Sequence, residues 1–180
     1  MLNKTVFHLA VVAALLGTSG IVLAASSNSN VPVSASVTQN CTISTSSALA
    51  FSAYDPVIAN ATVALNATGQ VSIACTKGSS GLTIGMDNGG HVSGAQRQML
   101  GGTSASMLQY NLFQPPSNTP GTACTFPGIT AWNATGGGLL TLANAPSKAV
   151  RLYNVCGTIP AGQDVPADSY SDIVSVAINF

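Results

Sequence analysis

Four cysteines, Cys41, Cys75, Cys124 and Cys156, carry the most versatile side-chain chemistry in this 180-residue chain. A thiolate can ligate zinc, attack an electrophile or oxidise to a disulfide, and its spacing and company decide which. No two of the four form a Cys-x-x-Cys pair, and past residue 24 the sole histidine is His91, so a zinc site is not expected. In an exported chain four cysteines would instead form two disulfides, for which sequence allows three connectivities. Acid–base chemistry has an equally thin supply: five Asp and no Glu. A Ser-His-Asp triad could be drawn only through His91, and no Gly-x-Ser-x-Gly elbow surrounds any serine. Asp55 precedes a proline, and Asp164, Asp168 and Asp172 fall in or near a polar turn, which reads as turn or solvent-facing chemistry rather than a paired-carboxylate site. Asp87-Asn88-Gly89-Gly90-His91 reads as a hairpin turn with an exposed histidine. Gly136-Gly137-Gly138 lacks the Lys-Ser or Lys-Thr of a phosphate loop and reads as a turn; Trp132, the single tryptophan, reads as partly buried packing rather than a stacking platform. Asn60, Asn66 and Asn133, each in Asn-Ala-Thr, and Asn40 in Asn-Cys-Thr match an N-glycosylation pattern that a chain rich in Asn and Thr meets by chance. Neither an enzyme nor a cofactor is expected.

The elements that would position these residues follow from composition. Only ten formal charges occur, five of each sign, while 46% of the residues are hydrophobic. Disorder needs low hydrophobicity with high net charge, and nucleic-acid binding needs a basic stripe, so both are excluded. Exposed helix faces are normally filled with Glu, Lys, Arg and Gln, whereas here the polar positions hold Ser, Thr, Asn and Gly, which favour turns and strand surfaces. Residues 1–24 read as a secretory signal peptide: Lys4, an apolar run from Val6 to Leu16, then Val22-Leu23-Ala24 at the cleavage positions. The competing signal anchor is disfavoured by Gly17, Thr18, Ser19 and Gly20, which interrupt the run. The mature chain, 25–180, then carries four basic and five acidic groups, a net charge of minus one.

Residues 25–30 form a polar leader, after which Val31, Val33, Ala35 and Val37 alternate with polar residues, the period of an extended strand with one apolar face. Pro32 lacks a backbone donor and confines that strand to an edge or terminal role. Further strands are expected at Thr42–Ser44, Val63–Leu65, Val71–Cys75, Leu82–Met86, Met107–Phe113, Val150–Ile159 and Ile173–Phe180. Turn chemistry separates them at 55–56, 66–69, 78–81, 87–90, 115–121 and 136–138. Many short strands so spaced indicate an all-β antiparallel sandwich or barrel. In the last strand Val174, Val176, Ile178 and Phe180 share one face, so the C-terminus is expected to be tied into the core.

The chain resembles the spore coat protein U domain family, which includes subunits of archaic chaperone-usher pili of the Csu type. The resemblance spans the mature chain. It rests most on Tyr153-Asn154-Val155-Cys156-Gly157-Thr158-Ile159-Pro160, Gln163, and Tyr170-Ser171-Asp172 leading into Ile173–Phe180. Phe51-Ser52-Ala53-Tyr54-Asp55-Pro56, Gly69–Cys75 and Gln109–Phe113 also look like its motifs. Departures are Ser52 where Gly is common after the Phe, Cys156 where an aromatic is common, and Ala167-Asp168-Ser169 where Gly usually precedes the Tyr.

The resemblance implies an incomplete immunoglobulin-like sandwich lacking its final strand, with residues 39–180 forming the domain and 25–38 a leader plus donor strand. Val31, Val33, Ala35 and Val37 would insert into a neighbouring subunit's groove beside Val174, Val176, Ile178 and Phe180, completing it by β-augmentation. It implies a Cys41–Cys75 disulfide, and a cysteine at 156 is compatible with a Cys124–Cys156 bridge. Implied partners are other pilus subunits, a periplasmic chaperone and an outer-membrane usher, in a surface pilus serving adhesion and biofilm formation. Head-to-tail exchange of this kind does not close and builds a fibre. The competing readings are an N-terminal strand that pairs within its own domain, a self-contained secreted coat or matrix protein, and a carbohydrate-binding adhesin with its site near Trp132.

Overall fold

The computed structural model describes residues 24–180, so the expected signal peptide, apart from Ala24, lies outside the described residues. Among the described residues ten strands follow in chain order: β1 Cys41–Ser47, β2 Leu65–Cys75, β3 Thr83–Met86, β4 Val92–Ser93, β5 Gln96–Gly101, β6 Met107–Phe113, β7 Leu140–Thr141, β8 Arg151–Ile159, β9 Tyr170–Ser171 and β10 Val176–Asn179. One 3-10 turn, Gly136–Gly138, interrupts them. All pairings are antiparallel: β1-β2-β8-β6-β5-β4, with β9 also on β5, forms one sheet, and β10-β3-β7 the second.

The two sheets bury the alternating faces on which the strand expectations rested. Val71, Ile73 and Cys75 of β2, Leu108, Tyr110 and Leu112 of β6, and Tyr153, Val155 and Ile159 of β8 face Ile84 and Met86 of β3 and Leu140 of β7 in one core. Each fully buried large apolar side chain is worth roughly 1.5–3 kcal/mol. Two disulfides brace the first sheet: Cys41–Cys75 ties β1 to β2, and Cys124–Cys156 ties the loop after β6 to β8.

Four expectations are corrected. The turn at 66–69 is absent: Asn66, Ala67, Thr68 and Gly69 pair with Thr158, Gly157, Cys156 and Val155 inside a single eleven-residue β2. Gly69 is there for space, since a Cβ would meet Leu49 Cβ and N at 3.0 Å. Gly157 gives room to the same segment, a Cβ there lying 2.6 Å from Leu49 and 2.8 Å from Phe51. Residues 87–91 are not a hairpin turn but the crossing from β3 in one sheet to β4 in the other. Trp132 is not partly buried but wholly so, its indole N–H donating to the Ile84 carbonyl at 2.9 Å. Finally, β10 is shorter than expected, leaving Phe180 beyond its end and 53% exposed.

Candidate functional site

Among the described residues β1 pairs only with β2 and β10 only with β3, so each of these strands has one free edge there. A groove of about 390 Å³ lies between these edges. Thr45 and Ser47 line it from β1, Ile173, Val174 and Val176 from the C-terminal run, and Val71, Tyr110, Leu112 and Val155 from its floor. A free edge is a row of unpaired amides and carbonyls, and over an apolar floor it is a template for an added strand. The segment Ala48–Phe51 crosses at the groove's side, with Leu49 and Phe51 among its lining residues.

Of the four residues expected to form the groove beside the C-terminal strand, Val174 and Val176 line it. Ile178 is half-buried against the core on the same face, and Phe180 lies outside both strand and groove. The residues expected to donate a strand, Val31, Val33, Ala35 and Val37, belong to no strand of the described residues and are exposed, Val33 at 91%. Closer to β1, Thr38 and Asn40 are both hydrogen-bonded to Thr76.

A polar network, not foreseen from the sequence, fixes the start of the C-terminal strand. The Asp172 side chain is 3% exposed. Its Oδ1 accepts from the Gly90 amide at 2.9 Å, the His91 amide at 3.2 Å and His91 Nδ1 at 3.3 Å, and its Oδ2 from the Tyr110 hydroxyl at 2.6 Å. Asp87 bonds Ser175 through both backbone and side chain, its amide donating to the Ser175 carbonyl and its Oδ1 accepting from the Ser175 amide. Burial works against ionisation of Asp87, but amide donors from Gly89 and Ser175 and the nearby Arg97 charge outweigh it and hold its carboxyl below the usual range. Tyr110 is pushed well above the normal phenol range, first by burial and then by donating to a carboxylate.

Arg97 completes the network. It is 5% exposed, and its guanidinium donates to the Asp87, Met86 and Trp132 carbonyls at 2.6–3.3 Å. Burial lowers its pKa somewhat, offset by Tyr110, Asp87 and Asp172. Arg151, also buried, donates to the Ala143 carbonyl at 2.9 Å. Asp172 is thus neither turn-bound nor solvent-facing, and His91 is half-buried, because both are used to clamp the chain between sheets. The His91–Asp172 contact forms two members of a triad; no hydroxyl of the described residues is hydrogen-bonded to the imidazole. No group of three or more His, Cys, Asp or Glu that could hold a metal is found among the described residues.

Asp168 and Asp55 serve turns. Asp168 accepts from the Ser104 and Thr103 amides at 2.7 and 2.9 Å and from the Thr103 hydroxyl at 2.8 Å, which hold its carboxyl far below the ordinary range. Asp55 is likewise lowered, first by the amide of Ile58 and then by that of Val57. Asn60, one of the glycosylation-pattern residues, is buried with its side-chain amide spent on Asp55 and Val63, so it cannot carry a glycan in the folded domain. Asn66 and Asn133 are exposed.

Comparison with known proteins places this geometry among relatives. The family model described as Spore Coat Protein U domain matches residues 27–177. The chain is 30% identical to "Protein U" of Myxococcus xanthus over 168 residues, 87% of each chain. Its fold is similar to that of a solved chain in the CsuC–CsuE chaperone–tip adhesion subunit pre-assembly complex from archaic chaperone-usher Csu pili of Acinetobacter baumannii, at a TM-score of 0.53 and 22% identity. That match covers 80% of this chain and 40% of the solved one. The likeness is one of immunoglobulin-like fold. Among the described residues no helix is long and apolar enough to cross a membrane.

Proposed function

Because the chain belongs to the spore coat protein U domain family, we propose that it is a structural, non-catalytic subunit of a chaperone-usher pilus that polymerises by donor-strand exchange. The observation that carries this reading is the pair of free edges, β1 and β10, flanking an apolar-floored groove, together with an exposed alternating segment at Val31–Val37 that has no strand partner among the described residues. A second copy's Val31, Val33, Ala35 and Val37 would hydrogen-bond to the free edges, their side chains descending onto the floor. Residues 1–24 would direct export, 25–38 would act as leader and donor, and 39–180 as acceptor. Before assembly a periplasmic chaperone would cover the groove, and an outer-membrane usher would exchange it for the donor. The organelle would stand on the cell surface, in adhesion and biofilm formation.

The test is deletion of residues 25–37 from the mature chain, co-expressed with a chaperone and followed by electron microscopy. The full mature chain is expected to form fibres and the deletion none. Fibres from the deletion variant would overturn donor-strand assembly. A second reading, a self-contained secreted coat or matrix protein, draws support from the description of the family, Spore Coat Protein U domain. It predicts a stable monomer without chaperone, with the same urea midpoint whether or not a donor-strand peptide is present. A carbohydrate site on Trp132 draws no support, since the ring is fully buried.

A further inference from the structure

The free charges of the described residues are sorted by sign along the molecule. Arg97 and Arg151 are buried, and Asp87 and Asp172 are committed to the network that holds the C-terminal strand. The cations left on the surface are Lys77 and Lys148, which line one depression with Asn40 and the Cys41–Cys75 bridge. The anions left are Asp55, Asp164 and Asp168. Tyr54, next to Asp55, bonds Pro160 and Gln163, next to Asp164; Asp168 holds the turn after β5 and shares a cavity of about 800 Å³ with Pro56 and Val57. β2 joins the two ends, from Leu65 opposite Ile159 to Cys75 opposite Cys41. Its eleven residues separate them by roughly 35 Å.

The covalent path of the chain fixes which end a donated strand leaves by. Val37 lies three residues before Asn40, which lines the lysine depression and bonds Thr76. Three residues reach about 10 Å at most, so a copy whose Val31–Val37 lies in another's groove must bring its own lysine end against the mouth that its strand emerges from. The acceptor's groove shares Leu49, Phe51 and Met99 with the aspartate-rimmed cavity at one end. β10 runs away from that end, since Asp172 precedes it and Asn179 pairs with Thr83 on the lysine side.

Resting on the donor-strand reading, we infer that the contact between successive copies is charge-matched, Lys77 and Lys148 of one against Asp55, Asp164 and Asp168 of the next. With so few charges elsewhere, this sorting is the main electrostatic guide to encounter.

Fibre growth of the mature chain is followed by light scattering, with electron microscopy of the products. Four chains are compared: wild type, Lys77→Glu with Lys148→Glu, Asp164→Lys with Ala167→Lys, and all four changes together. All four positions are exposed, and Asp164 and Ala167 make no side-chain hydrogen bond among the described residues. Lys77→Glu with Lys148→Glu sets two negative charges against three and is expected to elongate about tenfold more slowly at low salt. The other double variant and the fourfold variant both leave the aspartate end with no net charge, since Asp55 and Asp168 balance the two new lysines, and are expected to fall between the lysine double and wild type; wild type itself should slow about tenfold from about 20 to about 500 mM NaCl. Fibres that grow equally fast in every variant, or a fourfold variant no faster than the lysine double, would overturn the charge pairing and leave donor-strand exchange standing. Absence of fibres from wild type, or their persistence after deletion of 25–37, would overturn both.

Discussion

The two ends of the chain carry the same apolar alternation and have opposite fates. Val31, Val33 and Val37 are more than 80% exposed and in no strand among the described residues, whereas Val174, Val176 and Ile178 are half-buried, with Val176 and Ile178 paired to β3. Alternation therefore specifies a ribbon with one apolar face but not what that face will meet. The C-terminal ribbon has anchors that the N-terminal one lacks: Asp172 gripped by Tyr110, Gly90 and His91, and Asp87 double-bonded to Ser175 through backbone and side chain. These polar anchors hold the start of the C-terminal strand in its own domain.

The sharpest test of this contrast puts a charge on each ribbon. Ile178→Asp should cost about 3 kcal/mol or more by urea unfolding, because it buries an unpaired carboxylate, while Val33→Asp should stay within about 0.5 kcal/mol. Equal losses would erase the distinction. Next in size, Asp172→Ala strands the Tyr110 hydroxyl and two amides and should cost about 2–3 kcal/mol, with proteolysis beginning in 173–180. Tyr110→Phe removes one bond of that set and should cost about 1 kcal/mol by the same measurement.

The smallest effect is a pH dependence. Asp87 has a folded-state value depressed below 3.8, so its contribution is complete above the unfolded value and is lost as pH falls through the folded one. Melting temperature should thus decline from about pH 5 to about pH 2, less steeply in Asp87→Asn; parallel curves would remove Asp87 from the anchor.

Much of the fold was legible because its central strands obey a simple period. β6 was expected at Met107–Phe113 and is found there, and β8 differs by one residue at its start. β5 was missed because Arg97 stands where an apolar inward residue would complete the pattern, its charge satisfied by three carbonyls too distant in sequence to foresee. The turn misread at 66–69 has the same origin: Asn and Gly carry turn propensity, and the reason for Gly69, the approach of Leu49, is a tertiary contact. In the groove, Val174 and Val176 were readable from alternation, whereas Tyr110, Leu112 and Val155 looked like any other core residues. Asp172 stands within a family motif, yet its bonding to residues more than 60 positions away has no local signal.

Arg97 and Arg151 have a consequence for how the molecule behaves in bulk. Both are withdrawn from water, and Asp87 and Asp172 are tied into the network at the start of the C-terminal strand, so a solid support or a neighbouring molecule feels two lysines against three aspartates, the same balance of minus one as the mature chain. The folded subunit should therefore be held only weakly by an anion exchanger near neutral pH and released on little salt. Unfolding would return two charges of each sign to solvent, so native and denatured chains should not separate on such a column by charge alone.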